Sequence, residues 1–207
     1  MGECVALISL PLHTPPNYKR KKERIDMKQH TEFHTRENVK IRVWDKDGNP
    51  VKLLKVNRFL SRLFGRTVGV YVDELVAANL ITNSGLVALG AATFDSSDTS
   101  KFTYIALGSG QTAAQATDTA LETELTSGGM ARAQGSYASS TTTVANDTKS
   151  ISHTFTATGA TATVAETGVF SAASGGVMMN RYVLPSPVTI NDGSSIQITH
   201  EFQVARS

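Results

Sequence analysis

The chain has 207 residues, 40% of them hydrophobic and 18% charged, with a formal net charge of +2. That is enough apolar material for a core, and it excludes a disordered acidic tail. With no run near the roughly 20 apolar residues a spanning helix needs, it also excludes a helical membrane protein. The single cysteine, Cys4, excludes an internal disulfide framework and any multi-cysteine zinc site.

The net charge hides a split. Residues 1–70 hold 15 of the 20 Lys and Arg against 7 acids, a local charge of +8, while residues 71–207 carry −6. Such asymmetry points to an arm that meets an acidic partner. Residues 1–38 read as that arm, because Pro11, Pro15 and Pro16 interrupt any element and the cluster Lys19, Arg20, Lys21, Lys22 and Arg24 has no apolar periodicity behind it. These five cations are the expected partner-binding residues. The apolar stretch from Cys4 to Leu12 lacks a preceding basic residue and a small-residue cleavage site, so a signal peptide is not expected. Ala6 stands where a myristoylation signal wants Ser or Thr.

Residues 39–99 read as a hairpin followed by short helices. Val39, Ile41 and Val43 alternate with Lys40, Arg42 and Trp44, and Asp47-Gly48 is a tight-turn signal before a second run, Val51 to Val56. Phe59, Leu60, Leu63 and Phe64 have helical spacing. Leu75 to Ile81 is a brief apolar segment, after which Thr82 or Asn83 caps a helix running to about Leu89.

Residues 100–207 change character: 32 of these 108 positions are Ser or Thr, with β-branched alternation and Gly punctuation. The pattern predicts a mainly β domain, an antiparallel β-sandwich or jelly roll. Its strands are expected at 102–107, 131–139, 150–158, 161–171, 176–184, 188–190 and 195–205. Between the first two, Thr112-Ala113-Ala114-Gln115 fits a capping box, and Leu121 and Leu125 give one stripe of a helix ended by Gly128-Gly129.

Chemistry is hard to find in this pattern. Gly108-Ser109-Gly110 lacks the Lys of a phosphate loop and the third Gly of a dinucleotide fingerprint, so it reads as a tight corner needing positive φ. No Gly-x-Ser-x-Gly elbow is present. Asp73/Glu74 and Glu122/Glu124 read as solvated faces. His153 and His200 each occupy the inward phase of an apolar alternation, which predicts burial with lowered pKa values. A metal held by them is the lesser reading. No catalytic, metal or cofactor-binding residue is therefore expected, and no cofactor.

Three strings in order, Asn79-Leu80-Ile81-Thr82-Asn83-Ser84-Gly85-Leu86, then Phe102 to Ala114, then Ala116 to Leu125, resemble a family of small virion structural proteins of tailed bacteriophages. Glu166 to Gly176, Arg181-Tyr182-Val183, Val188 and Ile196 to Thr199 continue the resemblance, which covers roughly residues 72–205 and leaves the arm outside. It implies a virion location, other virion proteins as partners, a symmetric homo-oligomer (a trimer), and no catalytic motif. Two further readings stand beside a capsid decoration or fibre-base protein. One is a tail, collar or baseplate component that attaches fibres. The other is a nucleic-acid-binding protein acting through the basic arm by phosphate neutralisation.

Overall fold

Period-two alternation decides the first strand. In β1 (Phe33–Trp44) Val39, Ile41 and Val43 are buried while Asn38 and Arg42 face out. Burial of each such side chain is worth about 1.5–3 kcal/mol, so a one-residue slip of register would be prohibitive. The computed structural model describes residues 33–56, 61–62, 65, 69–95 and 101–206. After β1 the Asp45 carboxylate accepts from the N–H groups of Asp47 and Asn49 at 2.9 and 2.8 Å. Gly48, at φ +83°, closes the expected turn into β2 (Pro50–Val51). This hairpin is short, with two residue pairs. β3 (Leu53–Val56) leaves it to pair with β4 (Gly69–Val72) as a separate ribbon. The expected helical stripe of Phe59, Leu60, Leu63 and Phe64 lies outside the described residues, as do Lys19, Arg20, Lys21, Lys22 and Arg24.

Two short strands, β5 (Leu75–Ala78) and β6 (Leu80–Ile81), lead into helix α1 (Asn83–Phe94), which runs further than its stripe suggests. Thr82 caps it as expected, its Oγ1 accepting from the Gly85 N–H at 3.0 Å while donating to the Met178 carbonyl at 2.6 Å. Among the described residues no helix is long and apolar enough to cross a membrane.

The remaining strands are β7 (Tyr104–Gly108), β8 (Ala133–Gln134), β9 (Ser136–Ser140), β10 (Thr148–Thr156), β11 (Ala162–Phe170), β12 (Met178–Ile190) and β13 (Ser195–Arg206). One antiparallel sheet has the order β2-β1-β13-β10-β9, with β5 also on β1, and the other the order β6-β12-β11-β7-β8. A single apolar cluster draws Val39, Ile41, Ile151, Phe155, Ile196 and Ile198 from the first sheet and Ile105, Leu107, Val164 and Val169 from the second. The architecture is thus mainly β and sandwich-like. Residues 33–38, expected in the arm, are strand. The hairpin of the 39–99 segment shares its sheet with β9, β10 and β13.

Three expectations are corrected. Residues 131–139 are not one strand: β8 pairs with β7 in the second sheet and β9 with β10 in the first, so the chain changes sheets at Gly135. A Cβ there would sit 2.4 Å from Ile151 Cγ1, which is why glycine occupies the corner. Residues 176–184 and 188–190 are one strand, β12, whose register shifts opposite Val164 and Glu166 and accommodates Pro185 and Pro187. The helix expected between 112 and 125 does not form, because the groups that would cap it are bonded across the loop instead.

Candidate functional site

That loop, residues 109–132, is organised by a carboxylate on β11. The β11 backbone carries Glu166 into a fully buried position, where Oε1 accepts from the N–H groups of Gly110 (3.1 Å) and Thr123 (2.8 Å). Its Oε2 accepts from the Glu122 N–H at 3.1 Å and from Arg181 Nε at 2.7 Å. Arg181, on β12 and 3% exposed, also donates to Asp118 Oδ2 at 2.7 Å and reaches Glu122 Oε2 at 3.5 Å. A buried ion is tolerable only when its lone pairs and protons are matched in this way.

The rest of the loop follows. Thr112 donates its N–H and hydroxyl to the Glu122 carboxylate at 2.8 and 2.7 Å, which undoes the predicted capping box and holds that carboxyl below its ordinary range. Burial opposes ionisation of Asp118, but the Gln115 N–H and Arg181 outweigh it and lower its pKa. Arg132 forms a bidentate pair with Glu124 (2.8 and 2.7 Å), donates to the carbonyls of Ala172 and Gly175, and stacks its guanidinium 3.7 Å from the Phe170 ring centroid. Glu122, which is exposed, and the half-buried Glu124 are thus tied into the clamp from a face that stays open to solvent, as their spacing suggested. Glu74, of the other acidic pair, is bonded to Arg42.

The two glycines of Gly108-Ser109-Gly110 serve the same clamp. Neither has positive φ, which corrects the tight-corner reading. A Cβ on Gly108 would lie 2.4 Å from Glu166 Oε1, and one on Gly110 would lie 2.6 Å from the same atom. Close approach of backbone to carboxylate, rather than turn geometry, requires glycine here.

A second polar group lies between the sheets. His200 on β13 is wholly buried, with Nε2 3.3 Å from Thr167 Oγ1 and Nδ1 3.2 Å from Asn79 Nδ2. The Thr167 hydroxyl donates to the Ala106 carbonyl, so the ring proton sits on Nε2 and Nδ1 accepts. Burial pushes the His200 pKa down to about 3. His153, on the neighbouring strand, is half-buried against Phe155 at 4.6 Å between centroids. It lies opposite Ile198, while His200 lies opposite Ile151. Among the described residues no three His, Cys, Asp or Glu side chains are grouped to hold a metal.

Further along the same layer Asn180 accepts from the Val169 N–H and donates to Glu37 Oε2 at 3.4 Å. Burial raises the Glu37 pKa to about 8, the Asn180 bond opposing. Sequence reasoning missed Glu37, Asn180, Glu166 and Arg181. The available signal was polar residues interrupting apolar runs, as Glu166-Thr167 does between Ala165 and Val169. No protein-family model, curated protein or solved structure matches this chain.

Proposed function

We propose that the protein is a structural component of a tailed-bacteriophage virion, a capsid-associated decoration or fibre-base protein that works as a symmetric homo-oligomer. The observation that carries this reading is where the resemblance falls in space. Thr82, Gly108, Gly110, Asp118, Glu122, Glu166 and Arg181 all belong to the strings that resemble the phage family, and they are the residues that cap α1 and clamp the 109–132 loop. The likeness thus lies in how the scaffold is held together, and these charged groups satisfy one another instead of facing a substrate.

The outer surface supports an assembly role. α1 has no charged residue and exposes Leu86 and Val87, the latter 74% exposed. The β3–β4 ribbon exposes Val70 and Tyr71. Strand β9 ends its sheet with all five residues exposed. Open edges and apolar side chains of this kind suit repeated contacts between copies or with a shell. The basic segment Lys19 to Arg24 serves in this reading as the anchor onto an acidic protein surface.

Immunogold labelling of particles tests the location. Label spread over the head supports decoration, and label confined to neck or tail supports the fibre-attaching alternative. Absence from purified particles overturns the virion reading. Deleting residues 1–32 should give a folded protein that no longer joins particles, and retained incorporation would refute the anchor. A steep salt-dependent shift of duplex DNA by the intact chain, lost on that deletion, would favour the nucleic-acid reading instead.

A further inference from the structure

Strand β9 ends the path β2-β1-β13-β10-β9, and among the described residues no strand pairs with its outer row of backbone N–H and C=O groups. Such a row is a template for pairing with another chain, so folds blunt it by shortening the strand or by placing Pro, charge or a bulge there. The other ends of the two sheet paths follow that rule: β2, β6 and β8 have two residues each, and β2 begins with Pro50. β9 does not follow it. It has five residues, pairs with β10 without a register shift, and holds neither Pro nor a charged side chain. Its register puts Tyr137 and Ser139 on the face that carries Ile151, and Ser136, Ala138 and Ser140 on the outer face of the sheet. Tyr137 is fixed at this edge by its hydroxyl, which donates to the Phe102 carbonyl at 2.6 Å, yet its side of the edge is open and the residue is 58% exposed.

We propose that β9 joins two copies of this chain, antiparallel about a two-fold axis at Ala138, so that the first sheet runs on from one copy into the other. The proposal rests on the homo-oligomer in the reading above and names its contact. An open edge asks for a strand, and three features select β9 of a second copy. Centring on Ala138 pairs the whole strand, Ser136 with Ser140, Tyr137 with Ser139 and Ala138 with itself, whereas any shift of register pairs fewer residues. A two-fold contact sets a surface against its own copy, which an edge free of charge tolerates. Charge complementarity is the third feature. Lys149 lies opposite Ser139, and its Nζ donates to Ser139 Oγ at 2.8 Å, which holds the ammonium over β9. In this register Ser139 faces Tyr137 of the second copy, so each cation is delivered to a tyrosine ring across the axis.

Sedimentation equilibrium of the intact chain over a concentration series tests this with two double variants. Ser136→Lys with Ser140→Lys sets like charges opposite each other at both ends of the paired strands, and should weaken association about tenfold. Ser136→Glu with Ser140→Lys sets opposite charges there, and should associate at least as tightly as wild type. Far-ultraviolet circular dichroism checks that each variant is folded. Should either not fold, Ala138→Lys, which places two cations at the axis, should weaken association and decides instead. Association that both double variants weaken alike, that neither changes, or that survives Ala138→Lys would overturn the β9 contact while leaving a homo-oligomer built through another surface. A monomer throughout the series would overturn the contact and the homo-oligomer together. None of these outcomes touches the location of the protein, which labelling of particles decides separately.

Discussion

His200 and Glu37 are buried in the same inter-sheet layer and titrate in opposite senses. His200 has a folded pKa of about 3 against 6.5 unfolded, so the unfolded chain takes up the proton first. Its contribution to stability is lost as pH falls through 6.5 and on towards 3. Glu37, raised from 4.5 to about 8, stabilises fully below 4.5 and loses that contribution as pH rises through 8. Between pH 4.5 and 6.5 the two slopes oppose each other and nearly cancel. Urea denaturation across pH should therefore show wild type nearly flat there, as far as these two groups set it, and falling above 6.5. In His200→Gln the fall should begin near pH 4.5, because the opposing slope is gone. Relative to wild type, this variant should gain about 2 kcal/mol on going from pH 7.5 to 5. Glu37→Gln should remove the fall between 4.5 and 8, worth roughly 3 kcal/mol at pH 7. Parallel profiles for all three proteins would mean that neither group is buried as described. At Gly135 the expectation is steric. Gly135→Ala places a methyl 2.4 Å from Ile151 Cγ1, and a loss of about 1–3 kcal/mol should appear in the same assay.

At the level of elements, the 109–132 loop depends on one carboxylate. Glu166→Ala leaves three backbone N–H groups and the Arg181 Nε–H without their acceptor, and should cost about 3–5 kcal/mol. Hydrogen exchange should speed up at Gly110 and Thr123 while Ile41 and Ile198 stay protected. Uniform loss of protection would show the loop to be part of the global folding unit. This loop is also where sequence reading failed. Thr112-Ala113-Ala114-Gln115 is a sound capping signal in isolation, but the Thr112 donors find Glu122 ten residues on, and Arg181 gathers Asp118 and Glu122 from another strand. A local pattern carries no information about a partner 59 to 63 residues away. What was legible was local: the alternation of Val39, Ile41 and Val43, the Asp47-Gly48 turn, the Thr82 cap, and the inward phase of Ile151, Phe155, Ile198 and His200. Gly135 was misread because a sheet change and an ordinary strand share the same alternation. The burial of Glu37 was invisible because Glu37 precedes the apolar run of β1 and looks like part of a charged arm.

For the whole molecule, the decisive feature is that β1 and β13 pair over twelve residues, from Phe33 opposite Arg206 to Trp44 opposite Ser195. A truncation at residue 38 would strip six of those twelve pairs, and Glu37 with them. Chains beginning at 33 and at 39 should therefore differ sharply in thermal unfolding: the first keeps the intact midpoint, and the second is destabilised or insoluble. Equal midpoints would mean that the start of β1 contributes little. The same ladder decides how the fold bears load. Residues 33 and 206 are cross-strand neighbours, so a pull between them opens the ladder one rung at a time, like a zipper, and never shears the twelve rungs together. A particle anchored through the segment before Phe33 and carrying a fused cargo after Arg206 would transmit force across that first rung. The sandwich should peel there under far less tension than if it were pulled from Phe33 and from the turn at Gly48.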